Sequence, residues 1–301
     1  MVARRWGLGS SQDKERKSLT GPEFQRSNLT IGGELLALST RQFPPFSCRL
    51  YLQCGTAGRT LFLHFSYIII LMFQHKIEFK NSLGFALSAI FEGESENDPT
   101  VILCHGYAST KDSQISQVPF SIKLVQKGLS VFRFDFTGCG QSQGQLDDLV
   151  PTQGLDDLKC AVKTLGKKDF GLYGSSFGGQ VSIWYASENT VRALALKAPV
   201  SNYAHTSSED IGQRRKRFIE NTKGLDLYEK AKNITCPVLI FHGDKDSVVP
   251  LSQSEKLAER LGETAKLEVL HGADHDIRGP YLEPMQAAMA DFFAKNLLNR
   301  V

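Results

Sequence analysis

The order of apolar runs and amphipathic stretches predicts an α/β fold, a mostly parallel central sheet flanked by helices. Three observations carry this. The runs Thr100–Cys104, Ala193–Lys197 and Val238–Phe241 are nearly continuous in apolar residues, as strands buried on both faces require. Segments of helical period separate such runs. And Gly174-Ser175-Ser176-Phe177-Gly178 lies between a strand-like run and a helix-like one, the setting of a sharp strand-to-helix turn.

The elements follow in order. Lys76–Lys80 and Phe85–Phe91 flank the turn residues 81–84 and predict a β-hairpin. A polar loop at 92–99 precedes the strand Thr100–Cys104. A helix over Ser116–Lys127, ended by Gly128, leads to a strand at Ser130–Asp135. The alternation then repeats: helix 154–165, strand 170–173, a helix from Gly179, and strand Ala193–Lys197. After residues 199–236 come strand Val238–Phe241, helix Gln253–Leu261, strand Lys266–Leu270 and a last helix near Glu283–Leu298. In open sheets of this kind the chemistry collects at the carboxyl ends of the strands.

The first seventy residues differ from the rest. Residues 1–60 show no sustained period, and Pro44-Pro45 interrupts them. They are expected to be mostly disordered. The apolar run Leu61–Phe73 is broken by His64 and Ser66 and is shorter than the ~20 residues that span a bilayer. A membrane anchor, an element packed on the body and a non-native extension ahead of Met72 all fit it. The last is favoured. The expected organisation is an extension over 1–71 and one domain over 72–301.

Net charge is +3. Residues 1–71 are basic and the remainder slightly acidic, so nothing suggests nucleic-acid binding. The six cysteines include no Cys-x-x-Cys pair, and no Cys/His cluster has zinc-ligand spacing. No metal or cofactor is expected. Buried free thiols favour a reducing compartment, the cytoplasm, although the 61–73 run leaves membrane association open.

Ser176 needs a base, and the base an orienting acid. His242-Gly243-Asp244-Lys245-Asp246 follows one predicted strand, and His271-Gly272-Ala273-Asp274-His275 follows the next. From about Met72 on, these motifs resemble the α/β-hydrolase superfamily. The serine esterases, the monoacylglycerol-lipase-like enzymes and the serine aminopeptidase-like branch are the nearest in pattern. The resemblance implies the α/β-hydrolase fold with a small helical lid at 199–236. It implies Ser176 as nucleophile, Asp246 as acid and His275 as base. It assigns the oxyanion hole to the backbone N–H groups of Phe177 and, through the His105-Gly106-Tyr107 segment, Tyr107. Asp244 is expected to shape its loop, and His242, His271 and His105 to have structural roles. The glycine-rich turn 135–144 lacks the spacing and Lys-Ser/Thr ending of a nucleotide loop and is expected to shape the wall of the site.

The implied activity is hydrolysis of small to medium carboxylic esters, including aryl, feruloyl-type esters. A serine aminopeptidase or amidase shares the same triad, and a non-catalytic binding protein shares the same fold. The implied partner is a small-molecule ester. The basic run Arg214–Arg217 reads as a solvated helix face, with recognition of a substrate anion as the lesser reading.

Overall fold

The computed structural model describes the backbone of residues 26–31, 34–41, 49–53, 59–64, 68–206 and 212–298, and the side chains of residues 72–206 and 214–298. Strands β1 (Arg26–Ile31), β2 (Glu34–Arg41), β3 (Arg49–Gln53) and β4 (Arg59–His64) pair antiparallel in series, and β4 pairs with β5 (Ile68–Lys80). The expected extension over 1–71 thus falls partly outside the described residues, while its described backbone is extended and hydrogen-bonded.

The body follows the predicted alternation closely. Strand β6 (Ala86–Gly93) pairs antiparallel with β5, Lys80 opposite Ala86. The Asn81 side chain builds the turn between them. Its Oδ1 accepts the N–H groups of Leu83 (3.1 Å) and Phe85 (3.0 Å), and its Nδ2 donates to the buried Asp157 (2.9 Å). Strands β7 (Thr100–Cys104), β8 (Ser130–Phe134), β9 (Phe170–Ser175), β10 (Ala193–Lys197) and β11 (Val238–Gly243) are buried at every position. Burial on both faces explains their mostly apolar sequences; the exception within β8, Arg133, is buried against Glu92 at 2.7 Å. Strand β12 (Ala265–Leu270), at the edge, is only partly covered.

Among the described residues the sheet order is β1-β2-β3-β4-β5-β6-β8-β7-β9-β10-β11-β12, parallel from β8 to β12. Helices α1 (Gln117–Gln126) and α7 (Leu282–Leu298) cover one face with Phe120, Leu124, Met289 and Phe293. Helices α2 (Pro151–Leu165), α3 (Phe177–Glu188) and α6 (Leu251–Leu261) cover the other. Pro151 opens α2 at a position where the missing N–H costs nothing, and Gly166 closes it in the left-handed conformation. Helix α3 is buried nearly all round, as its lack of a polar stripe requires.

The chain passes from β7 outward to β8 and then back across to β9. That reversal opens a crevice at the carboxyl ends of β7 and β9, where ligands of open α/β sheets bind. The insertion between β10 and β11 places α4 (Gly212–Asn221) and α5 (Leu227–Ala231) beside it. No helix among the described residues is long and apolar enough to cross a membrane.

Candidate active site

Ser176 stands between β9 and α3 with φ 52° and ψ −112°. A serine with positive φ is strained, at about 1–3 kcal/mol, and persists only where its surroundings hold it. Here its N–H donates to Lys197 O (2.9 Å), and its carbonyl accepts from Gln180 N (3.1 Å) and Val200 N (3.2 Å). The turn is also tight enough to demand glycine. A Cβ on Gly178 would press into the carbonyl oxygens of Cys104 and His105. Gly178→Ala should therefore destabilise by about 1–3 kcal/mol, although alanine usually improves a helix. A melting curve checks this; equal or higher stability would contradict the packing at the turn.

The predicted residues converge. His275 Nε2 lies 2.9 Å from Ser176 Oγ, and His275 Nδ1 lies 2.6 Å from Asp246 Oδ2. The Asp246 Oδ1 accepts the N–H groups of Val248 and Val249, each at 2.8 Å. A second imidazole also reaches the acid: the buried His242 places Nε2 3.1 Å from Asp246 Oδ2 and 2.9 Å from Val249 O. Its Nδ1 meets Ser254 Oγ at 2.7 Å. The sequence places His242 within its own loop, and the structure adds this contact with Asp246. Burial pushes the Asp246 carboxyl up, but hydrogen bonds from His242, His275 and Val249 N–H, with the His275 charge, hold it well below the usual range. A depressed carboxyl stabilises the fold above its unfolded pKa, about 3.9, and loses that contribution as pH falls below it. Asp246→Asn should therefore flatten the acid limb of stability against pH, measured by urea unfolding between pH 6 and 3. An unchanged slope would contradict the assignment.

Asp244 and His271 are tied to each other at 3.0 Å at the surface, and Asp244 also accepts Gly272 N–H (2.7 Å), so both shape the loop as expected.

His105 is fully buried behind the loop after β7. The Phe136 N–H donates to its Nε2 (3.1 Å), so the proton sits on Nδ1, which donates to Gly106 O (2.7 Å). Burial lowers its pKa and keeps it neutral. The Gly106 carbonyl and the Tyr107 N–H belong to one planar peptide and point in opposite directions. Anchoring the carbonyl therefore aims the N–H. Neither this N–H nor that of Phe177 donates to a protein group among the described residues.

A buried ion pair holds the same loop from below. Lys111 Nζ meets Asp135 Oδ2 at 2.8 Å, and Lys111 N–H donates to Asp135 Oδ1 at 2.6 Å. Gln141 N–H donates to the same carboxylate (2.9 Å), and Gly140, at φ 53°, packs against it where a Cβ has no room. The glycine-rich turn is thus structural. It does not line the cavity, contrary to the expected wall, because it wraps Asp135 beneath the loop.

A cavity of about 460 Å³ opens on Ser176 and His275. Its lining includes the aromatic cluster of Tyr107, Phe177, Phe218 and Tyr203 with Arg214, and also Gln117 and the buried Lys197. Burial lowers the Lys197 pKa against the opposing pull of Asp276, Asp246 and Asp274. The run Arg214–Arg217 is not a uniform solvated face. Arg214 stacks over the Tyr107 ring (4.5 Å), Arg215 donates to Tyr203 O (3.0 Å), and Arg217 pairs with Asp147 (3.2 Å). The signal in the sequence is the spacing of Arg214 and Phe218, which puts the cation on the buried apolar face of α4. Lys197 and Tyr203 carry no comparable signal.

Among the described residues no group of His, Cys, Asp and Glu is placed to hold a metal ion. Cys104, beneath the site, is pushed up to about 12 by burial and is no competing nucleophile.

A family model described as alpha/beta hydrolase fold matches residues 99–227, and one described as serine aminopeptidase, S33, matches residues 222–279. The chain belongs to the α/β-hydrolase superfamily. Among similar proteins, this α/β-hydrolase is 26% identical over 187 residues to an uncharacterized protein of Mycobacterium tuberculosis, covering 59% of this chain and 63% of the relative. The match thus spans less than two thirds of that relative's length. Est1E of Butyrivibrio proteoclasticus, solved with ferulic acid bound, superposes with a TM-score of 0.66 at 21% identity, over 74% of this chain and 100% of that one. An esterase of Pyrococcus furiosus superposes with a TM-score of 0.62 at 23% identity, over 74% and 91%. At these identities the likeness is one of fold.

Proposed function

We propose that this α/β-hydrolase is a serine carboxylesterase acting on small to medium esters, aryl esters included. The observation that carries the reading is the unbroken chain from Ser176 Oγ through His275 to Asp246, at 2.9 and 2.6 Å. In the first half-reaction Ser176 Oγ attacks the ester carbonyl while His275 Nε2 takes its proton. Asp246 holds the imidazolium. The carbonyl oxygen becomes an oxyanion facing the N–H groups of Tyr107 and Phe177. His275 returns the proton to the departing alkoxide, which leaves as an alcohol. Water then attacks the acyl-enzyme, with His275 again as base, and releases the acid and Ser176.

Residues 199–236 act in this reading as a small lid. Phe218 and Tyr203 give it an apolar underside, with Phe218 centred 5.4 Å from Tyr107 and 5.0 Å from Tyr203. The pinning of α4 to α2 through Asn221 and Thr152 (2.9 Å in both directions) favours a lid that stays seated.

The serine aminopeptidase model over residues 222–279 supports a second reading, amide hydrolysis by the same triad. Turnover of p-nitrophenyl butyrate beside a series of aminoacyl p-nitroanilides separates the two. The esterase reading expects kcat/KM at least 100-fold higher on the ester, after correction for the uncatalysed rates. A comparable value on any anilide contradicts it.

A further inference from the structure

The acyl end of the cavity combines an aromatic wall with two polar groups that the described protein leaves unanswered. Tyr107, Phe177, Phe218 and Tyr203 meet edge to face or tilted, with centroids 5.0–5.9 Å apart. The Tyr203 hydroxyl is buried and has no hydrogen-bond partner among the described residues. Burial, with the nearby Tyr107, pushes its ionisation well above the ordinary phenol range, so it remains a donor. Arg214 Nε is also buried and unpartnered, and no carboxylate pairs with Arg214 among the described residues. A buried donor left unmet is costly, and a buried cation more so. Both deficits have the same sign: each calls for an acceptor.

Charge points the same way. The charged side chains lining the cavity, His275 aside, are Lys197, Arg214, Arg278 and Asp276, and Asp276 is already paired with Arg278 at 2.6 Å. Lys197 already faces Asp276, Asp246 and Asp274, so Arg214 is the lining cation left without a carboxylate among the described residues.

We propose that the acyl group of the preferred substrate carries a carboxylate, held by Arg214 and the Tyr203 hydroxyl at the far end of the aromatic wall. This rests on the esterase reading above. The substrate class is then a half-ester of a dicarboxylic acid with a flat or short apolar spacer. The acyl side is assigned because both proposed oxyanion donors, Tyr107 and Phe177, carry rings of this aromatic wall, whereas the leaving oxygen must lie within reach of His275 Nε2. The guanidinium lies over the Tyr107 ring with Cζ 4.5 Å from its centroid, and a guanidinium can grip a carboxylate at two points.

Two rigid p-nitrophenyl esters test this, the 4-carboxybenzoate and the neutral 4-methylbenzoate, each corrected for its uncatalysed hydrolysis. The wild-type protein should favour the carboxylate by roughly 10- to 100-fold in kcat/KM. Arg214→Gln should lower that ratio at least tenfold, Arg214→Lys less, and Tyr203→Phe several-fold, with folding checked by melting. Arg217→Gln removes the same charge from the same helix and should keep the ratio within twofold. A wild-type ratio at or below one overturns the proposal. So does an equal loss in Arg217→Gln, which would reveal diffuse attraction only. If the neutral ester turns over without any preference, the subsite fails and the esterase reading stands. If neither ester turns over, the esterase reading fails. Calorimetric binding of monomethyl terephthalate against methyl 4-methylbenzoate to the Ser176→Ala protein then decides the subsite alone. Tighter binding of the charged ester supports it, and equal or weaker binding overturns it.

Discussion

Replacing Ser176 by alanine should lower kcat on p-nitrophenyl esters by about 10⁴- to 10⁶-fold while leaving the fold intact. The loss is large because the bond that Oγ forms has no substitute. It is not total because the N–H groups of Tyr107 and Phe177 still polarise a bound carbonyl for attack by water. His275→Ala should fall in the same range. Asp246→Asn should cost about 10⁴-fold, since the amide favours the wrong imidazole tautomer. The three losses should not add, because the groups act as one unit. The alanine variant should unfold at the same or a slightly higher temperature, since a strained, polar site is seldom the most stable arrangement. Near-wild-type turnover in Ser176→Ala would remove Ser176 from the chemistry.

The largest expected effect on stability lies away from the nucleophile. Lys111 is 1% exposed and Asp135 0%, and their charges meet at 2.8 Å. Lys111→Met should destabilise by about 3–5 kcal/mol, because it leaves a buried carboxylate without its cation. Asp135→Asn should cost less, because the ammonium keeps Asp112 at 2.8 Å and Gln141 at 3.0 Å. A double variant, Lys111→Met with Asp135→Leu, should recover a substantial part of the loss, since neither buried charge then remains. Urea unfolding of the wild-type protein and the three variants measures these differences. The loop they hold carries Tyr107, so activity should fall with stability in the single variants. A single-variant cost below about 1 kcal/mol would show that the pair is hydrated and weak.

The parts of this molecule most legible in its sequence are those where one requirement dominates. The strands buried on both faces had to be largely apolar, and their sequences show it at Val101–Cys104 and Ala193–Leu196. The turn at Ser176 had to have small neighbours, and Gly174 and Gly178 mark it. The order Ser176, Asp246, His275 follows strand ends and could be read from motif and topology together.

Other features depend on contacts across the chain. The bond of His242 to Asp246 requires that the loop 244–249 curl back over the strand end, which Val248 and Val249 accomplish through Asp246 Oδ1. The depth of Lys111 is invisible locally, because lysine is normally exposed and its partner Asp135 lies across β7 and β8. The position of Arg214 was hidden by its neighbours. A run of four basic residues reads as surface, whereas the helix sends three of them, Arg214, Arg215 and Arg217, to different partners.

The most direct test of the account is labelling of the full chain with a fluorophosphonate, followed by peptide mass spectrometry. Attack by an activated serine on phosphorus expels fluoride and leaves a covalent phosphonyl ester. The account predicts one adduct, on Ser176, formed rapidly in the wild-type protein and lost in His275→Ala. An unlabelled Ser176 in the folded wild-type protein, or a label on another serine that survives Ser176→Ala, would contradict it.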